Sequence, residues 1–234
     1  MTFRHLQGTT MHHYHTWSLA AAGTAAGFLL LPWFYRRFNK QPHPRYPKQT
    51  NHSSDQFVLA AGAIAFLISK DKSLKVCLVY YKKRNEWLLA KGRKDEGEDL
   101  ATTAVREVLE ETGYACTLLP IALPTRATIP SASVAHQEDI PRLSQNCTEP
   151  FAITIRPLQK PKNVKLIFWY VGSLDDPEGA PRVGTHMVAE GFEESVLFEV
   201  DEALEKLSFE DDKDLLRLAA KYAEQYKRDH MAAR

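Results

Sequence analysis

Cysteine is sparse and without pattern. Cys77, Cys116 and Cys147 are odd in number and stand at no metal-binding spacing. A disulfide framework and a cysteine-built metal centre are therefore excluded, and plain thiols in a reducing compartment are expected. The two glycosylation sequons, Asn51-His-Ser53 and Asn146-Cys-Thr148, are of a kind that random sequence supplies often. Acids are missing altogether from residues 1–54, which carry Arg4, Arg36, Arg37, Lys40, Arg45 and Lys48. The net charge of +1 over 234 residues hides this split: six of the 30 Lys and Arg lie there, leaving 24 against all 29 acids in the remainder. Such asymmetry marks the N-terminal part as a separate unit, an anchor or a targeting segment. At this length the chain buries one good core and has room for an appendage.

Charge is also absent from Trp17 to Tyr35, 19 residues rich in Ala and Leu. That length crosses a bilayer, Trp17 and the pair Trp33 and Tyr35 suit its two interfaces, and Arg36-Arg37 follows on what would be the cytosolic side. Residues 1–37 are accordingly read as an N-terminal segment whose 17–35 helix anchors the chain in a membrane, with the rest in the cytosol. A mitochondrial targeting segment also fits the acid-free start. So does a translation start placed too early, which would leave a plainly cytoplasmic protein. Residues 38–56, with Pro42, Pro44 and Pro47 among polar neighbours, read as a linker. The globular domain is expected over 57–228, with 229–234 as a tail.

Within that domain the apolar pattern predicts strands at Phe57–Ser69, Leu74–Tyr81, Glu86–Ala90 and Tyr114–Leu119. A hairpin of Phe151–Leu158 with Val164–Leu174 and a short strand at Ser195–Val200 follow. Helices are expected at Asp201–Leu207 and Asp212–Arg228, the last packing through Leu215, Leu216, Leu218, Ala219 and Tyr222. Ile121–Pro150, with Pro124, Pro130, Pro141 and Pro150, shows no period and reads as a long loop bordering a substrate.

The most informative stretch is Gly92 to Tyr114. Gly92, Glu98, Arg106, Glu107, Glu110, Glu111 and Gly113 stand at the offsets G-x5-E-x7-R-E-x-x-E-E-x-G, with apolar Val108 after the first Arg-Glu pair. At about 1 in 15 per fixed position, seven matches arise by chance roughly once in a hundred million windows. Glu107, Glu110 and Glu111 fall at i, i+3 and i+4 of a helix, one face about 5–6 Å apart at Cβ. Three like charges so placed repel one another, and a hard divalent cation relieves the conflict. Leu100, Ala101, Ala104, Val105 and Val108 form the apolar stripe on the other face. Asp99 or Glu98 suits the helix start, and Gly113 suits a left-handed stop.

This pattern resembles the Nudix box, with Tyr114 in place of the usual aliphatic last residue. The resemblance implies an α/β fold, the Nudix α/β/α sandwich with a mixed β-sheet, here preceded by the N-terminal apolar helix and linker. It implies Glu107, Glu110 and Glu111 as ligands of Mg²⁺, or of Mn²⁺ in its place. Glu98 supports that site, and the backbone at Lys91–Gly92 is a further ligand. Arg106 is expected to hold Glu107 or Glu98 by a bidentate bond. Glu110, Glu111 or Glu194 would take the proton of an attacking water.

The implied partner is a small phosphoanhydride, a nucleoside diphosphate linked to another group, with no specific nucleic acid. Basic residues expected around the cleft are Lys91, Arg93, Lys94, Arg126, Lys160 and Lys162, with Arg156 and Lys165 on the same hairpin. They favour dinucleoside polyphosphates or diphosphoinositol polyphosphates. Trp87-Leu-Leu-Ala-Lys-Gly92 is similar to the Trp…Pro-Lys-Gly entry of dinucleoside polyphosphate hydrolases, with Ala90 replacing Pro. The coenzyme A signature upstream of the box is absent, and so is the Ser-Gln-Pro-Trp-type tail of NADH pyrophosphatases. Thr128 stands where ADP-ribose enzymes place a Pro, and no Tyr stands near it, where enzymes of asymmetric dinucleoside tetraphosphates place one. ADP-ribose or nucleotide-sugar cleavage, a non-hydrolytic nucleotide-binding module and a tethered scaffold remain the alternatives.

Overall fold

The computed structural model describes residues 49–69, 73–129, 139–159, 162–175 and 192–231. The chain divides into Met1–Thr50 and Asn51–Arg234, and every element below belongs to the second. The expected 17–35 helix and residues 38–48 of the linker lie outside the described residues. Among those described, no helix is long and apolar enough to cross a membrane.

The centre is β1 (Phe57–Leu67), whose residues 60–66 are all buried because it is covered on both faces. It runs antiparallel to β2 (Lys75–Tyr81) and parallel to β9 (Val164–Leu174). The sheet is completed by β3 (Glu86–Leu88), β4 (Gly92–Arg93), β5 (Cys116–Leu118), β8 (Ala152–Pro157) and β10 (Phe192–Glu199). Its main path is β10-β2-β1-β9-β5, with β3 on β2, β4 on β1 and β8 on β9. The sheet is mixed, as the resemblance implies.

Helix α1 (Leu100–Thr112) covers one face. There Ala104 and Val108 pack on Ala61, Ala63, Ala65, Cys77 and Val79. Helices α2 (Val200–Lys206) and α3 (Glu210–Met231) cover the other, where Ala203, Leu216, Ala219 and Ala223 meet Ala60, Ile64, Phe66, Leu78, Ile167 and Trp169. The small alanines of β1 let both helical layers come close to the sheet. Truncating a buried Ile or Leu in such a core costs about 2–5 kcal/mol.

Three expectations need correction. Ile121–Pro150 is not a bare loop: β6 (Ile121–Thr125) and β7 (Arg142–Cys147) pair antiparallel as a separate ribbon. Its apolar side is short, with Ile121, Leu123 and Cys147 joining the α3-side core. Of the expected packing face of α3, Leu216 and Ala219 are buried and Leu215 and Tyr222 pack beside them, whereas Leu218 points outward at 37% exposure; Asp212 and Ala223 complete the buried stripe, spaced 4, 3 and 4. The helix also runs to Met231, taking in residues assigned to the tail.

Candidate active site

The box folds as its spacing requires. Asp99 caps α1, accepting from the Thr102 amide at 2.8 Å and the Thr102 hydroxyl at 3.1 Å. Those bonds hold its carboxyl below the usual range. Gly113 closes the helix at φ 75°, its amide donating to Leu109 O. The buried Ser195 hydroxyl donates to Thr112 O at 2.7 Å, pinning β10 to the same helix end.

Arg106 engages all five of its N–H donors. Nε and Nη2 grip Glu98 in a bidentate pair at 2.9 and 3.0 Å. Nη1 donates to Glu107 at 2.9 Å and Glu110 at 2.8 Å, and Nη2 also donates to Arg93 O at 2.9 Å. The guanidinium thus meets both expected partners and a third carboxylate, and ties the helix to the strand that carries Arg93. Glu98 accepts as well from the Asp95 amide at 3.1 Å and the Thr103 hydroxyl at 2.8 Å. Arg106 first, then these donors, pull its carboxyl down to about 2.

Because Glu98's value is depressed in the fold, its stabilising contribution is complete above its ordinary value of 4.5 and fades as pH falls towards 2. Glu98→Gln is expected to be less thermostable than wild type at pH 7. The gap between the two melting temperatures should narrow as pH falls from about 4.5 towards 2. A gap that is constant across that window would show that the charge of Glu98 plays no part.

The carboxylates do not lie on a solvated face opposite the apolar stripe. Glu107 is only 8% exposed and Glu111 only 5%, so both sit at the border of the core. Glu111 accepts from the Lys91 amide at 2.8 Å. Glu107 reaches over Gly92, where any Cβ would fall on its carboxylate group. Gly92 is therefore required by close approach.

Among the described residues no three acids, histidines or cysteines are drawn together tightly enough to hold a metal as they stand. The Arg106 guanidinium occupies the neutralising role beside Glu98, Glu107 and Glu110. The donor set fits a hard divalent cation all the same, with oxygen donors on adjoining turns and room for Glu107 made by Gly92.

The remaining expected residues divide by position. Lys91 and Arg93 lie on the segment that faces the box. The Lys94 ammonium is turned to Asp95 O at 2.8 Å, and Arg126 pairs with Asp139 at 3.1 Å across the β6–β7 ribbon. Lys162 sits in the hairpin turn at φ 71°. Lys160 lies outside the described residues. Glu194 is exposed on β10 rather than in a loop, opposite Tyr80. Alternation aims it away from the face to which Ser195 and α1 belong. Sequence reasoning missed Thr103, Ser195 and Asp212. Thr103 and Asp212 are polar residues inside apolar helical stripes, which is the one signal that singles them out.

A family model described as the NUDIX domain matches residues 58–219. The chain belongs to the Nudix family. A protein of Bacillus subtilis (strain 168), named provisionally as an 8-oxo-dGTP diphosphatase, is 48% identical over 50 residues, 21% of this chain. The chain spans about a third of the length of that curated relative, 34%. Among solved Nudix-fold structures, a C. elegans Ap4A hydrolase binary complex is 18% identical with a TM-score of 0.47, covering 72% of this chain and 98% of that one. The NUDIX domain of Shewanella oneidensis NrtR complexed with ADP ribose is 15% identical with a TM-score of 0.44, covering 85% and 98%. Likenesses at these values carry nothing about substrate. Nudix hydrolases generally use a divalent metal, in keeping with the acids of this box.

Proposed function

We propose that this chain is a metal-dependent Nudix pyrophosphohydrolase. It cleaves a diphosphate linkage in nucleoside diphosphate derivatives or related polyphosphates, with dinucleoside polyphosphates or diphosphoinositol polyphosphates preferred. The observation that carries the reading is the single network joining Glu98, Arg106, Glu107 and Glu110, beside Glu111 on the Lys91 amide. A non-hydrolytic module has no use for a complete set of box acids held in this register.

Glu107, Glu110 and Glu111 would hold Mg²⁺, or Mn²⁺ in its place, with Glu98 and the Lys91–Gly92 backbone in support. Bound there, the metal supplies charge neutralisation for phosphate oxygens and acidifies a water. The chain's own part is to hold the acids and to take the proton. Glu110 suits the second task, since its side chain is 28% exposed where Glu107 and Glu111 are buried. Glu194 is the other candidate, from the strand at the far face. Arg106 would carry Glu98 and Glu107 through the cycle without itself touching substrate. Lys91, Arg93, Lys94, Arg126, Lys160 and Lys162 are the proposed contacts for substrate phosphates. ADP-ribose and nucleotide sugars rank lower because Thr128 stands where ADP-ribose enzymes place a Pro.

The test is phosphate or nucleotide release by the full chain with Mg²⁺, over a tetraphosphate-linked dinucleotide, a diphosphoinositol polyphosphate, ADP-ribose and 8-oxo-dGTP. A kcat/KM at least about tenfold higher for one of the first two is expected, falling steeply with ionic strength as exposed charges are screened. Preference for ADP-ribose would overturn the substrate ranking, and silence on every substrate would overturn the hydrolytic reading.

A further inference from the structure

The sheet register gathers a second group of charges on the face opposite α1. Arg156 of β8 stands across from Lys165 of β9, which neighbours Val58 of β1. Two residues along, Ile167 neighbours Ala60, and Ala60 faces Arg93 of β4. Lateral partners share a face, and so do residues two apart. Ala60 and Ile167 belong to the core under α3. Arg93, Arg156 and Lys165 therefore all project on the α3 side, at the margin of that core. Asp212 arrives from the other layer. It lies one turn before Leu216 on the stripe that α3 turns to the sheet, and it is 7% exposed. Lys91 completes the group: its charge acts on both Lys165 and Asp212, while its amide holds Glu111 of the box.

Arg93 and Arg156 are exposed, but a solvated face explains Lys165 and Asp212 poorly. Lys165 is half-buried, and Asp212 almost fully. Among the described residues the side chains of Arg93, Arg156, Lys165 and Asp212 have no hydrogen-bond or ion-pair partner. Burial, then Lys91, Arg156 and Arg93, push the Lys165 ammonium down from its ordinary value. Burial pushes the Asp212 carboxyl up, while Lys91 and Arg156 pull the other way. Cations crowded at one place with too few counter-charges are stabilised when an anion joins them. Because Lys91 and Glu111 meet, that place adjoins the box.

We propose that Arg93, Arg156 and Lys165, joined to the box through Lys91 and backed by Asp212, form a polyphosphate subsite for phosphates beyond the scissile anhydride. The subsite deepens the proposed function and rests on it for its role in turnover. Its affinity for phosphate chains stands by itself. Asp212 sets the depth of the site, repelling a chain that moves inward past the three cations.

Inorganic tripolyphosphate is the probe, titrated calorimetrically into the full chain with the metal removed by EDTA. Arg156→Ala with Lys165→Met is expected to weaken binding by at least about tenfold, since each removes a charge-assisted bond. Arg217→Ala, taken from the exposed pair with Asp214, should change it by less than about twofold. Should the double variant fold poorly, Arg156→Gln alone serves, because that side chain is exposed and its loss disturbs no core. Asp212→Asn should tighten binding several-fold by removing a buried acid behind the cations. Wild-type affinity in the double variant, or in Arg156→Gln where that one is used, overturns the subsite. A chain that hydrolyses polyphosphates while these variants bind like wild type loses the subsite and keeps the function. A chain that binds tripolyphosphate through Arg156 and Lys165 but cleaves nothing keeps the subsite and loses the function.

Discussion

Glu110→Gln is expected to lower turnover of every accepted phosphoanhydride by about 10²–10⁴-fold, the range for losing a general base or a ligand of comparable weight. The fold should survive. A glutamine oxygen can still accept from Arg106 Nη1, which lies 2.8 Å from the Glu110 carboxylate, and the side chain is partly exposed, so little burial is at stake. What disappears is negative charge on the face where Glu107 and Glu111 also stand. Steady-state kinetics with Mg²⁺, beside a thermal melt of the same sample, separates a chemical loss from a structural one. Wild-type rates in both Glu110→Gln and Glu111→Gln would remove the box acids from the mechanism.

Gly92→Ala should be nearly as damaging, for a different reason. The added methyl would fall on the Glu107 carboxylate, the mobile end of a long side chain and not a backbone atom. The carboxylate can swing away, so the melting temperature should drop by only a few degrees, about 1–2 kcal/mol of stability. Swinging away breaks its bond to Arg106 and removes it from the other acids. Mn²⁺ affinity, read by the paramagnetic broadening of bound water, is expected to weaken by at least about tenfold, and turnover to fall by about 10²-fold or more. Metal affinity equal to wild type in a folded Gly92→Ala protein would show that Glu107 is not a ligand.

The parts of the fold that were legible in the sequence are those where local and tertiary demands agree. β1, β2, β9 and α1 each bury an unbroken apolar run or stripe, so pattern and outcome coincide within two residues or so. The β6–β7 ribbon was illegible because Arg142–Cys147 is mostly polar and exposed, and Pro124 sits within β6. Pro is tolerated in such an edge strand but argues against a strand on sight. Leu218 misled for the opposite reason, as an apolar residue that the helix turns outward.

Within the site, the offsets of the box placed Arg106 among its acids. They did not reveal that one guanidinium spans three of them. Arg156 and Lys165 were legible as bases of one hairpin, but Arg93 and Asp212 come from separate elements and join them only by register and by the docking of α3. The expected N-terminal helix lies outside the described residues.

The parallel pairing of β1 with β9 bears on how the chain is made. Phe57 finds its partner in Val164, and β2 finds another in β10, at residues 192–199. During synthesis the most apolar strand of the domain therefore emerges long before its neighbour on one side exists. Until then its unpaired amides and carbonyls form an open edge that favours association with other chains. Non-local pairing of this kind slows folding because loop closure precedes the reward. A nascent or truncated chain ending before residue 164 would leave that edge bare. The box helix can form early from local signals, but the platform that aligns it is completed only when the last third of the domain has been delivered.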